Sequence, residues 1–381
     1  MNINKKNKIR ERVFQEKKHW VRLTRVCNNN CIFCLDKDVQ NGEIFPFKEI
    51  LKDLKGGIKK GATRAILSGG EPTLHPQIVK IVKMAKNLGY KHIQLITNGR
   101  MLAYENLARE LKTAGLDEIT FSLHSHIKKI FEQITQVKGS YWQSLKGLTN
   151  ALKNNFIVSI DIVINKLNLK TLRKTIEFFI KFGVTEFDLL HLIPFGNAWK
   201  NKEKIFYTPP EAKKYLKKVF ELDKNENLFL WTNRMPSIYL EGYEQLIQHP
   251  FKLIDEIKNR EKGFKNYLKN SQFLFCYGKR CQYCFLNDFC QDIIELKIKK
   301  RLIEKSLPPC LTKNKKNFEK KLKKFQLSEK FNLEKFANFF IKYRYFVKSE
   351  RCQKCKYNLS CQGSPIEKIR KEGFKILIPQ K

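Results

Sequence analysis

Long apolar segments are absent from this chain of 381 residues, which excludes several common classes of protein. No run of residues approaches the roughly 20 apolar positions that a membrane-spanning helix requires. Residues 1–19 are basic, but they contain no apolar stretch of the kind that a secretory signal needs. We therefore expect a cytoplasmic protein that neither crosses a membrane nor is exported through one.

Acidic side chains are scarce: 37 Asp and Glu stand against 75 Lys and Arg, so the formal net charge is +38. Such an excess can indicate a nucleic-acid partner. The lysines are, however, spread over the whole chain and accompany many Asn, Ile, Phe and Tyr residues, whose codons are rich in A and T. Genome composition is therefore the preferred explanation, and a nucleic-acid partner is the less favoured one.

Cysteine, by contrast, is abundant, and three of the 11 residues, Cys27, Cys31 and Cys34, follow an apolar run at spacings of four and three. In a chain without an export signal, so many cysteines favour metal or redox chemistry over disulfides. Thiolates bind zinc, copper(I) and iron–sulfur clusters. A zinc site would need a fourth ligand, and His19 and His75 are poorly placed to supply it. We therefore predict a [4Fe–4S] cluster with one open iron, with a distantly completed zinc site or unligated thiols as alternatives.

A second motif, Ser68-Gly69-Gly70-Glu71-Pro72, directly follows the apolar run at 65–67. Together with Cys-x3-Cys-x2-Cys and the aromatic Phe33 before its last Cys, it resembles the signature of radical S-adenosylmethionine (SAM) enzymes. The resemblance covers about residues 20–200. It implies that the open iron binds the amino and carboxylate groups of SAM, that a 5′-deoxyadenosyl radical is produced, and that the protein works under anaerobic conditions.

Six short apolar runs, each followed by a helical pattern and a breaker, predict six strand–helix units in this region. Such units favour parallel strands with right-handed crossovers, and the apolar runs fit strands buried on both sides. Six units leave a barrel open, so the predicted fold is α/β, a partial (β/α)6 TIM-like barrel. The polar motifs fall at the carboxyl ends of strands, where barrels carry their chemistry. The predicted strands span residues 21–26, 65–67, 92–96, 118–123, 156–164 and 187–193.

The resemblance also implies roles for residues at these strand ends. Phe33 would lie beside the adenine. The glycines would allow close approach of the methionine end of SAM, while Glu71 would pair with its ammonium. The remaining candidates for cofactor contacts are Asn98, Ser122, Asn165 and Ile193, although Ser122 and Asn165 equally suit turn chemistry.

A general base or radical quencher is a further requirement of such chemistry. Three candidates lie on or near the predicted strands, at alternating positions that match those of the polar strand-end residues: Asp161, His124 and His191. A buried Asp at such a place should be paired or functional. Lone histidines are more often structural, so the case for His124 and His191 is the weaker one.

The domain boundaries follow from these patterns: a basic lead-in at 1–19, the barrel at 20–200, a helical connector at 201–270 and a Cys-rich helical domain at 271–381. The last domain contains Cys-x2-Cys-x5-Cys twice, each time with one additional Cys upstream. This spacing resembles the SPASM auxiliary-cluster domain, although a further Cys expected after each block is missing. Four ligands per site predict one or two auxiliary [4Fe–4S] clusters, with crossed ligation by Cys310 or two zinc ribbons as alternatives. The eight residues are Cys276, Cys281, Cys284, Cys290, Cys310, Cys352, Cys355 and Cys361.

The hypothesis we favour from the sequence is a radical SAM enzyme that modifies a peptide or protein side chain, because SPASM-like domains are associated with peptide substrates. A reductant such as flavodoxin or ferredoxin is the implied electron donor. The 1–19 segment is too short for a peptide-recognition domain, so we expect a partner protein or a leaderless substrate. The alternatives are modification of RNA or of a cofactor precursor, and a zinc-stabilised nucleic-acid-binding protein without catalysis.

Overall fold

The structure is a computed structural model that describes residues 3–270, 276–312 and 322–381. The chain forms two compact units, Met1–Asn233 and Arg234–Lys381. Each unit has its own hydrophobic core.

A single parallel sheet organises the first unit. Its strands follow one another in chain order, and each pairs in parallel with the next. The order is linear from the first strand to the seventh, and these two end strands do not pair with each other, so the barrel is open and partial. The predicted α/β partial-barrel fold is confirmed. The strands are β1 (Lys18–Thr24), β2 (Arg64–Gly69), β3 (His92–Thr97), β4 (Glu118–Ser122), β5 (Ile157–Val163), β6 (Glu186–Leu190) and β7 (Phe229–Asn233).

Aliphatic side chains in register across neighbouring strands form the layer between sheet and helices. Val21, Leu67, Leu95 and Ile119 are paired from β1 to β4, and all are fully buried. These strands are covered by helices on one face and by the barrel interior on the other. Strands buried on both faces have near-continuous apolar sequences, as seen here. The helices of this unit are α1 (Ile3–Gln15), α2 (Phe47–Lys59), α3 (Ile78–Asn87), α4 (Glu105–Thr113), α5 (Lys128–Thr135), α6 (Ser140–Lys153), α7 (Lys166–Leu169), α8 (Leu172–Ile180), α9 (Gly196–Lys200), α10 (Lys202–Ile205) and α11 (Pro209–Phe220).

The seventh strand corrects the sequence prediction, which ended the sheet at six strands and assigned residues 201–270 to a helical connector. β7 lies within that segment and pairs with β6 from Glu186–Phe229 to Leu190–Asn233. It is only five residues long and follows the helix α11. Its pairing with the edge of β6 is what defines this segment as a strand.

The amino-terminal helix α1 occupies the segment expected to be a lead-in. The Lys6 ammonium donates hydrogen bonds to the carbonyl oxygens of Asp223, Asn225 and Leu228 at 2.5–2.7 Å. Arg10 binds the Asp223 carboxylate at 2.6 Å. Both cations are buried, and they fasten α1 to the chain that leads into β7.

Polar side chains fill the barrel at the amino ends of its strands. Glu118 accepts hydrogen bonds from Arg64 at 2.6 Å and is bonded to His92 at 2.8 Å. Glu186 accepts one from the Trp231 indole at 2.8 Å. Burial, followed by the neighbouring Glu118 charge, raises the pKa of Glu186 to about 7. This end of a barrel contributes stability, whereas the opposite end carries chemistry.

The second unit is mainly helical around an aromatic-rich core that includes Phe289, Phe336 and Phe340. Arg344 is buried and binds Asp292 and Glu295 at 2.5–3.0 Å. The Cys-rich domain predicted to be helical, residues 271–381, also contains two short antiparallel strand pairs, and its residues 271–275 and 313–321 lie outside the described part. The elements are α12 (Lys252–Ile257), α13 (Glu261–Asn270), α14 (Asn287–Lys299), β8 (Arg301–Ile303), α15 (Pro309–Thr312), β9 (Lys324–Gln326), α16 (Leu333–Tyr343), β10 (Phe346–Val347), β11 (Ser364–Pro365) and α17 (Ile366–Glu372).

Within the described ranges, no helix combines the length and apolar character that crossing a membrane would require.

Candidate active site at the cysteine loop

The Cys27–Cys34 loop follows β1 at the carboxyl end of the barrel. Burial raises the pKa of the Cys27 thiol to about 11; the backbone N–H of Asn29 and the Arg100 guanidinium act in the opposite direction. Burial also raises the pKa of Cys31 and Cys34, and the charges of Cys27 and Cys34 raise that of Cys31 further. The three thiols therefore lie close enough to influence one another.

The donor set of this loop fits an iron–sulfur cluster. Across the described ranges, no three His, Cys, Asp or Glu side chains are arranged to hold one metal ion. Thiolates are soft ligands that hold zinc, copper(I) or iron–sulfur clusters. Three thiolates on one loop would hold three irons of a [4Fe–4S] cluster, and the bound cluster would keep them deprotonated although burial favours the thiol form.

The Gly-Gly-Glu loop after β2, residues 69–71, packs against the cysteine loop, and its two glycines allow this close contact. The Gly70 N–H donates to the Thr24 carbonyl at 2.8 Å, and the Glu71 N–H donates to the Val26 carbonyl at 2.7 Å. A Cβ on Gly70 would lie 2.7 Å from the carbonyl carbon of Val26, inside the 3.0 Å limit for such contacts. A Cβ on Gly69 would meet the Thr24 backbone in the same way. The absence of a side chain at both positions is therefore needed for one loop to approach the other.

Glu71 is buried and joins the ends of β2 and β3. Its carboxylate accepts hydrogen bonds from Thr73, from the Thr97 hydroxyl at 2.6 Å and from the Asn98 N–H at 2.7 Å. Burial raises the pKa of Glu71, while these hydrogen bonds lower it. The carboxylate thus fixes the turn after β3. Asn98 in turn donates from its side chain to the Asn28 side chain at 2.7 Å.

The second half of the cysteine loop is held by the start of α9. The N–H and side chain of Asn197 donate to the carbonyl oxygens of Cys34 and Cys31 at 2.9 and 3.0 Å. Asn201 donates to the Ile32 carbonyl at 3.1 Å. Gly196 has φ +54°, and a Cβ there would collide with the Cys34 carbonyl. None of these three residues was predicted to belong to the site; the Pro-Phe-Gly turn at 194–196, after the sixth strand, is the sequence signal that points to them.

The other predicted site residues lie at the same end of the barrel in different settings. Phe33 makes an edge contact with His124 at 4.7 Å between ring centroids. Ser122 and Asp161 are paired in register on β4 and β5, and both are half-buried. Ile193 is buried after β6.

The settings of the two histidines and of Asn165 favour structural roles. Burial lowers the pKa of His124 to about 3 and that of His191 to about 4, so both are neutral at pH 7. His124 Nδ1 accepts from the Val163 N–H at 3.3 Å, and His191 is bonded to the Tyr207 hydroxyl at 2.7 Å. The fully buried Asn165 caps α7 by accepting from the Leu167 N–H at 3.0 Å.

In the second unit, the remaining eight thiols form two groups of four. The pKa of Cys290 is raised by burial and then by the charges of Cys276, Cys284 and Cys281. The pKa of Cys352 is raised by burial and then by Cys361, Cys310 and Cys355. The latter four thiols also line one pocket. Cys310 therefore lies with the second Cys-x2-Cys-x5-Cys block, residues 352–361, and not with the first block at 281–290.

Residues 21–179 match the family model described as the radical SAM superfamily, and this segment contains the cysteine loop and β2 to β5. The match agrees with the resemblance to radical SAM enzymes seen in the sequence.

Among curated proteins, the chain is similar to the probable GTP 3′,8-cyclase of Sulfurisphaera tokodaii, with 35% identity over 190 residues. That match covers 49% of this chain and 60% of the relative. A second protein of this name, from Saccharolobus islandicus, is 35% identical over 178 residues, which cover 46% of this chain and 57% of the relative. The chain thus spans less than two thirds of these relatives.

Among solved structures, the fold is similar to that of SuiB from Streptococcus suis bound to S-adenosylmethionine, with a TM-score of 0.50 and 15% identity. The match covers 94% of this chain and 75% of that chain. At this identity the likeness concerns the fold alone.

Proposed function

We propose that this protein is a radical SAM enzyme that holds a [4Fe–4S] cluster at Cys27, Cys31 and Cys34 and binds S-adenosylmethionine beside it. The observation that carries the proposal is a loop of three interacting, half-buried thiols, fixed at the carboxyl end of an open parallel barrel. When bound, these groups supply a 5′-deoxyadenosyl radical, formed by one-electron cleavage of SAM, that removes a hydrogen atom from the substrate. The cytoplasm, with its reducing conditions, is the compartment that suits this chemistry.

The protein's own residues would orient these groups. Gly69 and Gly70 bring the β2 loop against the cysteine loop, and Glu71 fixes the turn that contains Asn98. We assign Phe33, Ser122 and Ile193 to the surface that receives the nucleoside, because they lie around the same barrel end. Asn165 would act indirectly: by capping α7, it would fix the turn that follows β5.

Proton handling is the proposed task of Asp161, and the neutral His124 and His191 are the weaker candidates for it. Asp161 lies between Ser122 of β4 and Asp188 of β6 in the strand register. A neutral histidine can accept a proton only weakly at a pKa of about 3 to 4. The carboxylate is therefore the better candidate for a base.

For the substrate, we propose a peptide or protein side chain. The support is the pair of four-thiol groups in the second unit, which resembles the SPASM arrangement and would hold up to two auxiliary [4Fe–4S] clusters. One solved relative in fold, SuiB, was crystallised with a precursor peptide. A flavodoxin- or ferredoxin-like protein would deliver the electron.

A second candidate substrate is a nucleotide that serves as a cofactor precursor. It is supported by the 35% identity to proteins named probable GTP 3′,8-cyclase. The match to the radical SAM superfamily favours these two candidates over a zinc-stabilised protein without catalysis.

Anaerobic reconstitution with iron and sulfide tests the proposal, with 5′-deoxyadenosine measured after addition of SAM and dithionite. We expect 5′-deoxyadenosine from the wild type and none from the triple variant Cys27→Ala, Cys31→Ala, Cys34→Ala, while circular dichroism shows the fold retained. A protein that takes up zinc but no iron would contradict the proposal.

Parallel reactions with GTP and with small proteins encoded by neighbouring genes separate the substrate classes. A mass change in such a protein, matched to 5′-deoxyadenosine formed, is the expected result. Consumption of GTP in the same proportion would instead support the nucleotide candidate and reject the peptide one.

A further inference from the structure

Arg100 lies across the first half of the cysteine loop. It follows the Thr97-Asn98-Gly99 turn at the end of β3, and its backbone N–H donates to the Asn98 side chain at 3.0 Å. Its Nη1 donates to the carbonyl oxygen of Asn28, the residue next to Cys27, and to Asn29 Oδ1 at 3.0 Å. The side chain therefore touches the loop at two consecutive residues.

The other end of the guanidinium is fixed as well. Its Nε donates to Gln143 Oε1 on α6 at 2.7 Å. All three acceptors of the side chain are neutral oxygens, two from amide side chains and one from a peptide group. These contacts orient the positive charge without cancelling it, and they hold it beside the segment that begins with Cys27.

A fixed charge at this place has a defined electrostatic consequence. Reduction adds one negative charge to a thiolate-bound iron–sulfur cluster, and a nearby cation stabilises the reduced form more than the oxidised form. Local charge and hydrogen bonds to the sulfur atoms set the reduction potential of such clusters. The opposing charge at Cys27 is the buried Glu71 carboxylate, which replacement of Arg100 leaves in place. At the other end of the loop, Gln40 donates to Cys34 Sγ at 3.4 Å, while Asp36 and Lys37 act on the Cys34 thiol in opposite directions.

We propose that Arg100 is a positioning residue for the cysteine loop and that its charge raises the reduction potential of the cluster bound there. The inference rests on the proposed function, since it requires a cluster at Cys27, Cys31 and Cys34. It concerns the one-electron step from an external reductant to this cluster, which the arginine makes easier.

The test is a redox titration of the full-length, anaerobically reconstituted protein, followed by electron paramagnetic resonance. The signal of this cluster is assigned by its change on addition of SAM, which separates it from any auxiliary clusters. Arg100→Gln removes the charge but keeps a donor for the Asn28 carbonyl, whereas Arg100→Lys keeps the charge. The matched control is Arg109→Gln on α4, whose side chain donates to Asn106.

We expect Arg100→Gln to shift the midpoint potential to a more negative value, Arg100→Lys to restore it towards the wild type, and Arg109→Gln to leave it unchanged. Iron lost from Arg100→Gln but retained by Arg100→Lys at wild-type potential would also support the proposal. A wild-type potential in Arg100→Gln would overturn it, and so would equal loss of iron from both Arg100 variants, which a merely structural residue would cause. A wild-type protein without iron would instead reject the proposed function.

Discussion

Replacing Gly70 by alanine tests how the two loops of the site depend on each other. Gly70 does not need a left-handed backbone, so the effect of an added methyl group is steric alone. Its Cβ would enter the space of the Val26 carbonyl and approach the Arg25 carbonyl carbon at 3.0 Å. Both atoms belong to the backbone that leads into Cys27, so they cannot rotate away as a side chain would.

The strand end must therefore shift by several tenths of an ångström, or the Gly-Gly-Glu loop must withdraw. Either movement lengthens the hydrogen bonds from Gly70 to Thr24 and from Glu71 to Val26, now 2.8 and 2.7 Å. Overpacking of a well-packed contact costs about 1–3 kcal/mol. We expect the free energy of unfolding of the iron-free protein to fall by about that amount, and the iron retained after reconstitution to fall as well.

Tryptophan fluorescence during urea unfolding is a suitable assay, because all four tryptophans belong to the first unit, at positions 20, 142, 199 and 231. Iron and sulfide per chain supply the second readout. The control is Gly56→Ala, since Gly56 lies inside α2 with open space around its Cβ position. That change should stabilise the protein by about 0.5–1 kcal/mol through helix propensity. If Gly70→Ala unfolds and binds iron like the wild type, the close approach of the loops is not required.

Three further predictions concern other parts of the molecule. The raised pKa of Glu186 means that its protonated form stabilises the fold below about pH 4.5 and that this contribution is lost as the pH rises through about 7. Glu186→Gln should therefore be more stable than the wild type by about 3 kcal/mol at pH 8 and nearly equal to it at pH 4.5, and a difference that does not change with pH would contradict this. Lys6→Met leaves three buried carbonyl oxygens without their donor and should lower the free energy of unfolding by about 2–4 kcal/mol, measured by the same fluorescence transition. Cys310→Ser should reduce the iron bound by the second block and Cys276→Ser that of the first; Mössbauer spectra that lose the same component in both variants would argue for crossed ligation.

The sequence by itself predicted the class of the protein and the location of the candidate site. Cysteine spacing and the Gly-Gly-Glu motif are local in the chain, and alternating apolar runs and breakers report strands and helices directly. Because the carboxyl ends of parallel strands meet at one edge, the cysteine loop and the strand-end residues could be placed together before any coordinates. The match to the radical SAM superfamily agrees with that reading.

Other features depend on contacts between residues that are far apart in the chain, and only the tertiary structure decided them. The short β7 is defined by its pairing with β6, and the partner group of Cys310 is set by packing across more than 40 residues. Asn165 reads as a ligand candidate in the sequence, yet its amide is engaged by the backbone of α7. Arg100 carries no motif, and its position on the cysteine loop arises because the ends of β1 and β3 converge at the barrel mouth. Sequence patterns report chemistry that is local in the chain. The fold determines which oxygen atoms the guanidinium of a distant arginine contacts.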